Sequence, residues 1–237
     1  MHGQHAIAAG SMPRNIEMRR LIDRSLGLEM SRLGFARERR NMYCLQRAGR
    51  MSGVVTFTTA LFKDLEWQYS PNVGVRHEEI NRLLYEVSDD LSDDERSFNL
   101  LVAHIITNIG YLMPQKAFRS WSFPLEMPPD RMLEDIALNI KTYGIPFIDE
   151  CADPEMFKRT LMDATYTLAN DDQYLPALFV VEEEHNLAEA FLNDALRKRS
   201  TRFDPEARWY RNFAMKLQSI IDSRRNISTK DVGHDQQ

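Results

Sequence analysis

The stretch VVTFTTALFKDLEWQYSPNVGV, residues 54–75, decides the fold. Val55, Phe57 and Leu61 alternate with Thr56 and Thr58. After a short polar break, Leu65, Trp67, Tyr69, Val73 and Val75 share one parity against Glu66, Gln68, Asn72 and Arg76. Successive side chains of a strand point to opposite faces, whereas a helix repeats its apolar positions every three to four residues. A period of two with one apolar set and one polar set predicts antiparallel strands with a single wet face. The breaks FKD and RAGRMSG (47–53) are short, polar and partly glycine-containing, as hairpin connections require. Upstream, NMYCLQR (41–47) reads as a further strand, with Tyr43, Leu45 and Arg47 on one face and Met42, Cys44 and Gln46 on the other.

Outward from this sheet the period changes. RNIEMRRLIDRSLGLEMSRL (14–33) places Ile16, Leu21, Leu28 and Leu33 at roughly helical spacing, and Gly34 supplies a stop. HEEINRLLYEVSDD (77–90) predicts a short helix on Ile80, Leu83, Leu84 and Val87. The β-branched run NLLVAHIITNIGYLMP (99–114) predicts a strand, and RSWSFP an edge strand ending at Pro124. Beyond PLEMPPD the chain reads as helix upon helix. Pro129, Asp153-Pro154 and Asp204-Pro205 mark helix starts, because aspartate accepts from free first-turn amides and proline lacks an N–H that would go unpaired. Asn186 with Glu189 suggests a capping box, and Tyr210, Phe213, Leu217 and Ile220 stack on one face of the last helix. The expected fold is α+β: an N-terminal helix and an antiparallel sheet of about four or five strands packed with a C-terminal helical region. Its apolar sheet face is Val55, Phe57, Leu65, Trp67 and Tyr69. One domain spans 14–225, with helix and sheet to 126 and helices from 127. Residues 1–13 are an expected disordered leader, and 226–237 an expected disordered tail.

At 237 residues, 43% hydrophobic and 10% aromatic, the chain has material for a substantial core, which excludes disorder throughout. A formal net charge of −5 disfavours phosphate backbones and favours basic partners, so nucleic-acid contact would need a local patch. Two distant cysteines, Cys44 and Cys151, argue against a disulfide framework or structural zinc and fit a reducing cytoplasm. No apolar run approaches the length of a membrane span.

Arginine is the main cation, with 23 Arg to 7 Lys. FARERRNMYCLQR (35–47) carries Arg37, Arg39, Arg40 and Arg47 into an aromatic strand, the combination that single-stranded nucleic-acid platforms use. RKRSTRFDPEARWYR (197–211) adds Arg208 and Arg211 among Phe203, Trp209 and Tyr210. Solvation of a strand edge and complementation of a helix dipole are the leading explanations of the two runs. DDLSDDERS (89–97), with Asp89, Asp90, Asp93, Asp94 and Glu95, is a solvated loop or a docking patch for a basic protein. Glu182-x-x-His185 is half of a di-iron motif with no second half in the chain, and reads as a helix end. His104, in an apolar run, is expected as a buried neutral histidine paired to a backbone carbonyl. Neither cysteine has a basic context that would mark a thiolate nucleophile. There is no phosphate-binding glycine loop, nucleophile elbow or H-E-x-x-H pair, and no metal or cofactor is expected.

The order of a helix ending Leu33-Gly34-Phe35, NMYCLQR, VVTF, WQYSPNVGV, a later GIPF and a late NLAEAFLNDAL resembles a bacterial family known only as a domain of unknown function, over roughly residues 15–225. Thr58 stands where that family tends to carry glutamine. The resemblance implies no catalytic residues, and its analogy to toxin-neutralising or defence-associated proteins implies an immunity-type binder. The leading expectation is a non-enzymatic cytoplasmic protein-interaction factor with a basic partner. A nucleic-acid-associated protein using the arginines is second. An enzyme with a cleft between sheet and helices, using His104 or carboxylates, is third.

Overall fold

The computed structural model describes residues 14–63, 65–88, 92, 103–164, 166 and 171–231, except for the side chains of residue 171 and residues 227–231. The chain runs α1 (Arg14–Arg32), β1 (Ala36–Arg39), β2 (Met42–Gln46), β3 (Met51–Phe62), β4 (Glu66–His77), α2 (Glu78–Val87), β5 (Ile105–Asn108) and β6 (Trp121–Pro124). The helices α3 (Asp130–Asn139), α4 (Ile145–Cys151), α5 (Pro154–Met162), α6 (Asp171–Val181), α7 (His185–Lys198) and α8 (Pro205–Asp231) follow. This is an α+β fold: an N-terminal helix, an antiparallel sheet and C-terminal helices. The sheet has six strands in the order β1-β2-β3-β4-β5, with β6 paired to β4. Two compact units are threaded through the sequence. The first takes the chain up to Gln46, Val54–Val73 and Thr107–Ile148; the second takes Arg47–Gly53, Gly74–Ile106 and everything from Asp149 on.

In the first unit, four strands each contribute one ring to a continuous row. Tyr43 meets Phe57 at 5.9 Å edge-on, Phe57 meets Tyr69 at 6.4 Å, and Tyr69 meets Phe123 at 5.3 Å edge-on. Edge-to-face pairs at these separations add to the gain from burying the rings. The polar tips of the buried aromatics reach the helices. Tyr69 donates to Asp23 of α1 at 2.7 Å, the Trp67 indole to the Asn15 carbonyl at 2.8 Å, and the Trp121 indole to Asp135 of α3 at 2.7 Å.

Asp23 explains why α1 buries a different stripe from the expected one. Ile22, Asp23, Leu26 and Met30 face inward, while Ile16, Leu21 and Leu28 are exposed. A stripe chosen by apolarity alone passes over a buried aspartate. Here the carboxylate is satisfied by Tyr69 and by Arg40, whose Nε lies 2.9 Å away. Leu65 also departs from expectation: at 67% exposed it belongs to the β3–β4 turn and not to the sheet face, unlike Val55, Phe57, Trp67 and Tyr69, which are buried.

Of the run 99–114, residues 99–102 lie outside the described residues, and among the rest the strand covers Ile105–Asn108. The Asn108 amide ends it, because Oδ1 accepts from the amides of Gly110 and Arg119 while Nδ2 donates to the carbonyls of Pro71 and Arg119. That turn continues as a short 3-10 segment, Ile109–Tyr111. Asp153 and Asp204 cap α5 and α8 as expected, accepting from the amides of Met156 and Ala207. Asn186 and Glu189 do not form a capping box. Both side chains hold Arg225 instead, and α7 already begins at His185. In α8 the buried face is Tyr210, Phe213, Ala214, Leu217 and Ile221 in place of Ile220, and the helical backbone extends to Asp231, past the expected end at Asn226.

Pro176 lies inside α6 and has no N–H for the carbonyl of Asp172, four residues earlier. The Tyr210 hydroxyl takes that carbonyl at 3.0 Å. The same side of α8 reaches α6 again through Arg224, which donates to the Val180 carbonyl at 2.8 Å.

Two outcomes follow. Tyr210→Phe keeps the ring and orphans the Asp172 carbonyl, so it should cost about 1 kcal/mol in a urea unfolding titration. Gly74→Ala places a methyl 2.1 Å from the Ile105 carbonyl oxygen. It should destabilise by about 3 kcal/mol or more, because backbone atoms of the neighbouring strand must move.

Candidate functional site

The second unit holds a cleft of about 230 Å³. Its walls are Met51 from the start of β3, Pro154 and Phe157 from α5, and Leu178 from α6; its polar groups are His77, Arg50 and Glu182. Each is placed by local chemistry. Gly49, at φ +71, lets the β2–β3 connection turn tightly enough for the Arg47 amide to reach the Met51 carbonyl at 3.1 Å. The α2 start is tied to the same connection: the Glu78 amide donates to the Arg50 carbonyl at 2.8 Å, and the Glu78 carboxylate accepts from Ser52 and from the buried Arg76. Glu182 sits in the turn that ends α6. There Glu183 adopts φ +62, while the amides of Glu183 and Glu184 return to the carbonyls of Val180 and Phe179. A left-handed residue followed by these two bonds is the usual way to terminate a helix, with glutamate in the place that glycine favours. Lys158 fastens the turn, donating to Glu182 at 2.7 Å and to Glu184 at 2.6 Å. The run EEEH is thus a helix end. Among the described residues no group of three or more His, Cys, Asp or Glu side chains is placed to hold a metal ion.

His77 is the last residue of β4 and the N-cap of α2, and only 8% of its surface is exposed. Its Nδ1 accepts from the Ile80 amide at 3.4 Å. Its own amide donates to Nδ1 of His104 at 3.0 Å, and the His104 amide donates to the Val75 carbonyl. His104 is fully buried, with Tyr174 edge-on at 4.7 Å and Phe157 at 6.0 Å. The expected partner of His104, a backbone carbonyl, is therefore replaced by a backbone N–H. An amide donates to Nδ1 of each ring, so the proton of each neutral ring sits on Nε2. Burial pushes the pKa of His104 down from 6.5 to about 3, helped by the neighbouring His77 and Arg76. Burial also lowers that of His77, with Arg50 acting in the same sense and Glu79, Glu182 and Glu78 opposing.

The cleft's two formal charges are both answered within the unit: Arg50 pairs with Glu79, and Glu182 with Lys158. The Nε2–H of His77 has no hydrogen-bond partner among the described residues, and the buried Nε2 of His104 has none either. Cys151 is buried and its thiol is pushed up to about 12 by burial and by Glu150, against a hydrogen bond from Thr160, so it is no nucleophile at neutral pH.

The arginines singled out from the sequence fall in both units. In the first, Arg37 folds over its own hairpin, donating to the carbonyls of Arg39 and Arg40. Arg39 is exposed on the edge strand, and Arg40 pairs with Asp23. In the second, Arg47 pairs with Asp149 at 2.6 Å, Arg208 is exposed, and Arg211 donates to the Arg202 carbonyl at 3.1 Å. Asp89, Asp90, Asp93, Asp94 and Glu95 lie outside the described residues. His77 and Met51 escaped sequence reasoning because their role depends on where a strand hands over to a helix. The one local signal was a histidine directly before two glutamates at that junction.

The two histidines set a pH dependence. Below about pH 6.5 the unfolded chain binds protons that the folded rings refuse, so their stabilisation is present above that pH and is lost as pH falls from 6.5 toward 3. For His104 alone the slope approaches about 1.4 kcal/mol per pH unit. A urea midpoint that drops between about pH 7 and pH 5, where most carboxylates are still ionised, is the expected result, and His104→Gln should flatten it.

No family model matches the chain, and no curated protein or solved structure is significantly similar to it.

Proposed function

We propose that this chain is a non-enzymatic protein-interaction factor that seats one apolar side chain of a partner in the His77 cleft. The observation that carries this reading is the cleft itself, with apolar walls and the open Nε2–H of His77 among its few polar groups. At about 230 Å³ it is smaller than the ~300 Å³ at which pockets for whole small molecules begin, and it suits one anchor residue of a larger surface. Its histidine is poorly placed for acid–base catalysis. A general base needs a free ring lone pair, and in His77 and His104 that lone pair already accepts a backbone amide. The net charge of −5 favours a partner with a basic surface around the anchor, since opposite charge speeds encounter and sets orientation. The polyanion alternative is weakened because Arg40 and Arg47 spend their charge on Asp23 and Asp149.

A photo-crosslinking amino acid at Met51, in cells that make the protein natively, should give a discrete protein adduct that Leu178→Arg abolishes. The purified protein should leave the anisotropy of labelled oligonucleotides unchanged at low salt. Absence of the Met51 adduct would sink the docking reading. Salt-dependent oligonucleotide binding that weakens with Arg37→Ala and Arg39→Ala would put the polyanion reading in its place.

A further inference from the structure

We infer that the group this cleft accepts is an uncharged aliphatic or aromatic residue whose own backbone carbonyl receives the Nε2–H of His77; this rests on the docking reading above. His77 as a residue is nine-tenths buried and lines the cleft, and its Nε2 has no partner among the described residues. An occupant that covers this donor without supplying an acceptor would leave it unmet, so the occupant that fits best brings an acceptor to it. That acceptor is a neutral one for two reasons. Arg50 and Glu182 are already paired, so neither offers a free charge to an ionised ligand, and desolvating an unpaired ion against Met51, Phe157 and Leu178 is strongly unfavourable. The positive end of α2 favours negative charge at this corner, but Glu78 and Glu79 in its first turn offset it, leaving a preference for the partial charge of a carbonyl oxygen over a full anion.

His104 is the positioning residue. By accepting the His77 amide from a fully buried position it fixes the backbone from which the imidazole of His77 projects. The donor and the cap are also separable. Asparagine caps helices at least as well as most residues, so His77→Asn should preserve α2 while removing the imidazole donor.

The test uses three probes on the full chain: N-acetyl-leucinamide, its carboxylate counterpart N-acetyl-leucine, and the cation leucinamide. Binding is followed by NMR at the Met51 methyl and the His77 ring nitrogens. N-acetyl-leucinamide should shift both signals, the two charged probes should bind at least about 5-fold more weakly, and His77→Asn should weaken the neutral probe by a similar factor at unchanged Tm. A Met51 response with no change at Nε2 would overturn the carbonyl assignment while leaving side-chain docking intact. Preference for the carboxylate would overturn it in favour of an anion site. Silence from all three probes would also overturn it, and the docking reading would then be judged by the Met51 adduct, which does not depend on these compounds.

Discussion

The second unit depends on one hydrogen bond, from the amide of His77 to the ring of His104. A strand that turns directly into a helix has a bonding problem at the junction, since the last amide of the ladder has lost its carbonyl and the first amides of the helix have not gained theirs. Here two imidazoles solve both halves. The His104 ring receives the outgoing amide, and the His77 ring receives the amide of Ile80. Each ring must be neutral to do so, and burial keeps it neutral. The cleft follows from that arrangement. With Nδ1 committed to the backbone, Nε2 of His77 can only be a donor, and His77 lines a small cleft walled by the β2–β3 turn, α5 and α6.

Among the described residues, several arginines are neutralised within their own unit. Arg40 with Asp23, Arg47 with Asp149, Arg199 with Asp172, Arg202 with Asp204 and Glu206, and Arg225 with Glu189 each join a guanidinium to a carboxylate of the same unit. Exposed pairs of this kind contribute little to stability, but a planar fork that finds a carboxylate also fixes orientation. An arginine-rich and net-acidic sequence thus spends many of its cations on its own anions.

Much of the fold was legible because it rests on short-range rules. The alternation through Phe57, Trp67 and Tyr69 announced the sheet, and Asp153-Pro154 and Asp204-Pro205 announced helix starts that their side chains do cap. Expectation failed where a polar residue took a long-range role. Asp23 turned α1 onto another stripe by pairing with Tyr69 and Arg40; Asn108 cut β5 short; Asn186 and Glu189 left their own helix end to hold Arg225. The site was the least legible part. Met51, His77, Phe157 and Leu178 are scattered through the chain, and no spacing rule links a strand end, a turn and two helices.

The proline in α6 carries a consequence for synthesis. Its missing hydrogen bond is made good by Tyr210, more than thirty positions further along, so α6 cannot be completed by anything that leaves the ribosome with it. Until α8 has emerged, the Asp172 carbonyl depends on water, and the helix that walls the cleft at Leu178 stays open to fraying. The nascent chain therefore acquires a finished pocket only after α8 has emerged. A chain truncated before Tyr210 would leave the cleft with an unfinished wall.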